Sequence, residues 1–184
     1  MVEISYLWMV IFISILWILI RMICWIRDKK IRIRRELALL LVYICIVVVV
    51  RFTFCPFGKV EGKIQPLLFD KDRIYPFWLN LKPVVNLFDY PTRWEALLNL
   101  IGNTTMFIPL GIVWPAVFRK LDKPWKVISA GVGVSLSIEL LQLPFFGRAT
   151  DIDDLLLNSA GFLIGYGIYL LVMAIVSAVH KRRK

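Results

Sequence analysis

The sequence contains five long apolar runs, each bounded by charged or turn-forming residues. The runs cover positions 4–26, 37–55, 95–118, 127–143 and 155–179. About 20 apolar residues cross a hydrocarbon core about 30 Å thick. Only helices and closed barrels satisfy backbone groups in lipid, and none of the runs alternates as a barrel strand does. The pattern predicts an all-α integral membrane protein, a five-helix transmembrane bundle forming one domain over residues 1–184.

Composition and charge support a membrane environment. The chain is 59% hydrophobic and 20% charged, with a mean hydropathy of +0.73, too apolar for an ordinary soluble domain. Its net charge of +10 would suggest nucleic acid if the basic residues formed one face beside stacking aromatics, but they lie in short blocks between apolar runs. We therefore predict no nucleic-acid partner. Cys24, Cys45 and Cys55 have no disulfide or metal spacing and are interpreted as packing residues.

The basic blocks predict the orientation in the membrane. Six Lys and Arg residues lie in 27–35, four in 119–126 and four in 181–184, whereas the short loop 144–154 carries only Arg148. Basic residues are retained on the cytoplasmic side, so the N-terminus is predicted outside and the C-terminus inside. No basic region precedes the first run and no small-residue cleavage site follows it, which favours a retained span.

The segment 56–93 is rich in aromatic residues and proline, which is typical of backbone at the headgroup level. The aromatic residues that alternate with its prolines are Tyr75, Phe77, Trp78, Phe88 and Tyr90, followed by Trp94. It forms either a cap over an outward-facing site or an interfacial belt that anchors the third helix.

Ionisable residues inside the spans are expensive and therefore informative. Glu139 lies roughly 7 Å below the outer end of the fourth helix at about 1.5 Å per residue, and Arg51 lies near the outer end of the second. Arg21 can reach the inner surface by snorkelling. Spacings of four, four and three place one set of residues on a single face of the fourth helix, which must face protein or water. This set is Gly131, Ser135, Glu139 and Gln142.

The third and fifth helices carry comparable faces. Asn99 and Asn103 are four residues apart, and a stripe on the fifth helix begins with polar residues and ends with a small-xxx-small pair that lets another helix approach closely. That stripe is Asp154, Asn158, Gly161 and Gly165. We expect both faces to point inward.

The predicted topology places the polar residues at one depth near the outer surface, with Glu139 within reach of Asn158 or of the third-helix asparagines. We predict that they form a ligand-binding site. Its members are Arg51, Asn99, Asn103, Glu139, Gln142, Arg148, Asp151, Asp154 and Asn158.

The chemistry of such a site has several interpretations. Asp151, Asp153 and Asp154 could hold Mg²⁺ or Ca²⁺ through oxygen ligands, or Asp151 and Asp153 could only stabilise a helix N-terminus. Glu139 could be a general base or could neutralise Arg51 or Arg148. Glu139 and Asp154 are the catalytic candidates. A Ser–His–Asp arrangement is excluded because the single histidine lies in the predicted cytoplasmic tail.

The C-terminal half resembles the VanZ-like family of bacterial membrane proteins. The stretch 98–111, LNLIGNTTMFIPLG, is similar to that family's N-x-x-x-N-x-x-x-F-x-P-x-G element. The stretch 135–165 is similar to its S-x-x-x-E-x-x-Q element followed by A-T-D-x-x-D-x-x-x-N-x-x-G-x-x-x-G, and residues 80–83 match a preceding N-L-x-P. The resemblance covers roughly residues 80–169. Most residues that fit these elements are also among the polar residues that the predicted topology places near the outer surface.

The resemblance implies a plasma-membrane protein linked to teicoplanin-type lipoglycopeptide resistance that does not depend on replacing the peptidoglycan precursor terminus. Family analogy does not supply the chemistry. One hypothesis is a binding module for a membrane lipid, a lipid-linked envelope precursor or the lipoglycopeptide itself. The alternative is an enzyme that modifies an anionic lipid or lipid-linked headgroup with Glu139 or an Asp-bound metal ion. A transporter is disfavoured because no repeat and no comparable inner polar lining are visible.

Overall fold

Five long helices make up most of the protein. The computed structural model describes residues 2–55, 59–60, 63–73, 79–83, 92–148 and 150–182. The helices are α1 (Tyr6–Asp28), α2 (Ile33–Phe54), α3 (Arg93–Val117), α4 (Pro124–Gln142) and α5 (Ile152–Arg182). All five are long and apolar enough to cross a membrane, which confirms the predicted all-α membrane protein. The helix ends differ from the apolar runs by a few residues because polar and charged side chains also fit the terminal turns.

The predicted aromatic cap falls mostly outside the described residues. Tyr75, Phe77, Trp78, Phe88 and Tyr90 all lie there. Trp94 is described: it lies in the first turn of α3 and is exposed. The cap and the interfacial belt both stay predictions.

The chain divides into two compact units. The first unit comprises Met1–Asn80 and Ile138–Asp151, and the second comprises Leu81–Ser137 and Ile152–Lys184. The helix α4 contributes its last residues to the first unit and the others to the second. The prediction of a single domain stays a prediction.

In the first unit, α1 and α2 form an antiparallel hairpin with three polar contacts about two helical turns apart, and the Trp17 and Tyr43 rings also pack between the helices, 5.6 Å apart. The guanidinium of Arg51 lies 5.8 Å from the centre of the Tyr6 ring. Farther along, the Ser14 and Tyr43 hydroxyls are hydrogen-bonded at 2.6 Å. An ion pair between Arg21 and Glu36 forms the third contact.

That ion pair gives Arg21 a partner on α2, and the snorkelling of Arg21 stays a prediction. Its Nε and Nη2 donate to the two carboxylate oxygens of Glu36 at 2.8 and 2.5 Å, a bidentate geometry of the strong kind. The side chains are only 13% and 21% exposed. Arg21 is therefore neutralised by a partner on α2, since the antiparallel register places Glu36 beside it.

Short strands complete the first unit. The strand β1 (Val2–Ile4) pairs antiparallel with β4 (Leu67–Phe69), and β2 (Lys59–Val60) pairs antiparallel with β3 (Lys63–Ile64). The strand β5 (Leu79–Asn80) pairs in parallel with β6 (Thr150–Asp151). An isolated bridge joins Phe69 to Phe145. The β5–β6 pairing and the Phe69–Phe145 bridge hold the chain between α4 and α5 in place.

In the second unit, α3 and α5 touch through their backbones. A Cβ atom added at Gly161 would collide with the carbonyl oxygen of Thr104, and one at Gly165 with that of Ile108. On the opposite side of the contact, a Cβ at Gly111 would collide with the carbonyl of Phe162. The predicted small-xxx-small contact is confirmed, and its closeness allows Cα–H···O contacts between the helices.

The polar and small face of α4 is buried as predicted. Gly131 lies against the ring of Phe162, which also packs edge-on against Trp114 with 5.9 Å between ring centres. Ser135, Glu139 and Gln142 are buried as well. The face is thus covered by protein rather than exposed to lipid.

Candidate functional site

The loop after α4 folds back onto the first unit. The helix ends at Gln142, two residues before Pro144, and the Phe145 N–H then donates to the Gln142 carbonyl at 3.0 Å. Hydrogen bonds of 2.9 and 2.8 Å tie Pro144 and Phe146 to the chain around β4. Gly147 has a φ of 74°, a left-handed conformation that favours glycine, and so lets the chain reverse.

Glu139 is enclosed by the returning chain and is only 2% exposed. Its Oε2 accepts the backbone N–H of Asp151 at 3.1 Å. Its carbonyl oxygen accepts the hydroxyl of Thr150 at 2.7 Å. The strand β6 therefore orients both the side chain and the backbone of Glu139.

The last turn of α2 carries a second group of these residues. Gln142 donates from Nε2 to the Thr53 carbonyl at 2.6 Å, which satisfies one of the acceptors that a helix end leaves without an intrahelical donor. The Arg51 guanidinium lies 5.5 Å from the centre of the Phe52 ring and donates to the Cys55 carbonyl at 3.4 Å. Both long side chains are thereby fixed.

Cys55 reports on the charges around it. The residue directly follows α2 and is fully buried. Burial raises the pKa of its thiol, while the charges of Arg51 and Arg148 oppose that rise. Both arginine charges therefore act on the thiol that follows α2.

The first unit thus brings together a majority of the predicted site residues. They are Arg51, Glu139, Gln142, Arg148 and Asp151. The interpretation that Glu139 neutralises an arginine stays a prediction, because the hydrogen bonds described above join it to Thr150 and Asp151.

The second unit brings the remaining four together. Asn103 donates from Nδ2 to Oδ1 of Asp154 at 2.5 Å and to Oδ1 of Asn99 at 3.4 Å. One amide therefore links the predicted faces of α3 and α5. The carboxylate of Asp154 is held in a defined orientation.

Asn158 follows Asp154 by about one turn of α5 and is 1% exposed. Within the described ranges, its Oδ1 has no hydrogen-bond partner. Next to it along the helix, the Leu155 carbonyl accepts the Ser135 hydroxyl at 3.4 Å. A buried acceptor without a donor costs about 1–3 kcal/mol, so Asn158 is an unusual residue for a purely structural contact.

The predicted metal ligands are not assembled into a cluster. In the part of the chain that the structure describes, no group of three His, Cys, Asp or Glu side chains could hold a metal ion. Asp154 is engaged by Asn103, and Asp151 contacts Glu139 through its backbone. The predicted reach between Glu139 and Asn158 or the α3 asparagines stays a prediction.

The sequence suggests Thr150 as a cap of the fifth helix, but the structure places it in β6, and Thr53 was not among the predicted residues. Thr150 is buried and its hydroxyl bonds the Glu139 carbonyl; its position before Asp151 in the A-T-D element was an available signal. Thr53 acts through its main-chain carbonyl, for which no side-chain pattern exists.

Five spanning helices with buried polar side chains at several of their ends define a multi-pass membrane protein. The family model described as VanZ/LLP1 matches residues 40–173, and the chain belongs to this family. The match includes every candidate site residue but not α1, and it extends beyond the resemblance seen at 80–169. No curated protein and no solved structure matches the chain significantly.

Proposed function

We propose that this chain is a binding protein of the bacterial plasma membrane that holds a lipid-linked or lipidated envelope ligand in a polar site near the outer leaflet. Binding would limit the action of teicoplanin-type lipoglycopeptides. Family membership supports the link to resistance by resemblance. The position of the polar side chains in spanning helices favours a ligand that has both a headgroup and an apolar part.

The buried Oδ1 of Asn158 carries this proposal. An acceptor that lacks a donor in the described chain is satisfied when a bound molecule presents a hydroxyl or an amide N–H. Sugar and peptide headgroups supply both groups, whereas hydrocarbon supplies neither. The ligand class is therefore a lipid with a sugar- or peptide-bearing headgroup.

Asp154 and Asn103 supply a second reason. Their hydrogen bond fixes a carboxylate one turn from Asn158 before any ligand arrives. A site oriented in advance loses less entropy on binding. The fixed carboxylate can accept from a ligand hydroxyl or pair with a ligand ammonium group.

The test uses substitutions that keep shape and remove charge or polarity. Asp154→Asn, Glu139→Gln and Asn158→Leu are expected to abolish teicoplanin protection at matched expression, with thermal stability in detergent unchanged. The matched controls are Asp122→Asn and Glu95→Gln, which make the same chemical changes at exposed positions and should leave protection intact. Wild-type protection by all three stable site variants would refute the proposal. A parallel loss of stability of about 3–5 kcal/mol would instead indicate buried structural pairs.

The enzymatic alternative has one favourable observation, the enclosed and oriented carboxylate of Glu139. Purified protein is given radiolabelled envelope lipids with Mg²⁺ or with chelator. Stoichiometric retention without chemical change supports binding. A metal-dependent product would overturn the binding proposal in favour of an enzyme.

The proposal also includes an orientation, with the N-terminus outside and the C-terminus in the cytoplasm. In a background without Cys24, Cys45 and Cys55, an impermeant maleimide should label Leu81→Cys but not Lys120→Cys in intact cells. Both positions are exposed, so permeabilised cells should label at both. Labelling of position 120 before permeabilisation would contradict the orientation and the outer-leaflet site.

A further inference from the structure

A cavity of about 270 Å³ lies where α1 ends and α2 begins. Four basic residues line it together with Trp25, Asp28 and Glu36. The basic residues are Arg21, Lys30, Arg32 and Arg35. All these positions precede residue 40, where the family match begins, and none belongs to the site proposed above.

The charges in this cavity do not balance. Glu36 is engaged by Arg21, and Asp28 pairs at 3.1 Å with Arg27, which does not line the cavity. Among the described residues, no ion pair involves Lys30, Arg32 or Arg35. The cavity is consequently positive overall and suits an anion.

The start of α2 adds to that preference. Arg32 is the N-cap residue and makes no side-chain capping bond. An arginine side chain has donors only, so it cannot accept from the first N–H groups of the helix. The positive end of the helix dipole therefore adds to the charge of the basic side chains.

The depth of the cavity matches a lipid headgroup. Arg21 lies seven residues before the last residue of α1, about 10 Å along the helix. The cavity thus extends from the turn at the membrane surface to the edge of the hydrocarbon. Ile26, Ile33 and Leu37 follow lining residues directly in the sequence and expose apolar surface on which acyl chains can lie.

We propose that this cavity binds the phosphate of an anionic phospholipid in the leaflet that surrounds the α1–α2 turn. Basic pockets between membrane helices bind such headgroups. The lipid is favoured over free phosphate because the exposed apolar side chains that follow the lining residues can contact acyl chains, which free phosphate lacks. The site is independent of the proposed function and concerns how α1 is held in the bilayer.

The experiment compares two double variants of equal net charge. Lys30→Gln/Arg32→Gln removes basic residues that line the cavity, and Lys29→Gln/Arg34→Gln removes two nearby basic residues that do not line it and leaves the partner of Asp28 in place. Binding of phosphatidylglycerol to the purified full chain in detergent is measured by native mass spectrometry. We expect the first variant to bind about tenfold more weakly or worse and the second to change less than about threefold, since one basic residue near an anionic headgroup contributes roughly fivefold.

Two further measurements test the lipid specificity of the cavity and whether the bound phosphate belongs to a lipid. Phosphatidylcholine should bind weakly to all three proteins, and inorganic phosphate at millimolar concentration should not displace phosphatidylglycerol. Displacement would overturn the lipid assignment, and equal losses in the two double variants would show that the cavity does not bind the lipid. If circular dichroism shows that the lining variant is unfolded, the single changes Arg32→Gln and Arg34→Gln provide the same comparison.

Discussion

The α1–α2 hairpin and the α3–α5 pair are held together in opposite ways. The hairpin is joined mainly by polar contacts at intervals of about two turns, beside one contact between the Trp17 and Tyr43 rings, and no residue of α1 is buried. The α3–α5 pair has its backbones in contact at three glycines. Lipid provides no hydrophobic drive between helices, so close packing and polar contacts are the available means of association. The pair inside the family match uses packing, whereas α1 depends mainly on polar contacts.

The largest expected effect comes from adding a methyl group at the glycine contact between α3 and α5. Gly161→Ala should destabilise the protein by about 3 kcal/mol, because the new methyl group meets the Thr104 carbonyl and the helices must separate. The free energy of unfolding in mixed micelles measures this.

Gly167→Ala is the matched control on the same helix. It has no neighbour within 4 Å of an added Cβ, so it should be neutral or gain about 0.5–1 kcal/mol from reduced backbone freedom. Equal effects at positions 161 and 167 would show that the contact does not stabilise the fold.

A smaller effect is expected in the hairpin. Glu36→Gln should cost about 1–3 kcal/mol because it leaves the Arg21 charge largely shielded from water without its partner. The double variant Arg21→Gln/Glu36→Gln should recover much of that loss. Unfolding of the two variants in mixed micelles measures the difference.

The exposed pair of Arg27 and Asp28 serves as the control, since Asp28→Asn should change stability little. If Glu36→Gln were equally silent, the hairpin would not depend on its polar contacts.

The smallest effect concerns the thiol at the end of the hairpin. Burial raises the pKa of Cys55, so the folded state retains this proton more tightly than the unfolded chain. The stability that this shift contributes is fully present below the ordinary thiol pKa and is lost as the pH rises through the pKa of Cys55 in the folded protein.

In a Cys24→Ala/Cys45→Ala background, the alkylation rate of Cys55 should therefore rise at higher pH than in unfolded protein. Arg51→Gln removes a charge that lowers this pKa and should move the profile farther upward, whereas a profile equal to that of unfolded protein would contradict the burial argument.

Local periodicity was sufficient to predict much of the fold and the contact between the polar faces of α3 and α5. Spans follow from the length of apolar runs, and the inward faces of α3 and α5 follow from spacings of three and four. The hydrogen bonds of Asn103 with Asn99 and Asp154, together with the contact at Gly161, agree with those spacings.

The hydrogen-bond partners of Glu139 and Arg21 could not be predicted from residue spacing, because they are distant in the sequence or belong to the backbone. Glu139 is held by the Asp151 N–H and the Thr150 hydroxyl through a returning strand. Arg21 finds Glu36 only once the register of the hairpin is known. Neither arrangement leaves a periodic trace in the sequence.

The hydrogen bond from Gln142 to the Thr53 carbonyl has a consequence for biosynthesis. The two residues are 89 positions apart, so the ribosome completes α2 and then α3 before the amide that covers the end of α2 exists. Until then that carbonyl, at a helix end, is solvated by water or lipid headgroups. The enclosure around Glu139 is therefore among the last parts of the protein to form, and a nascent chain ending before α4 lacks it entirely.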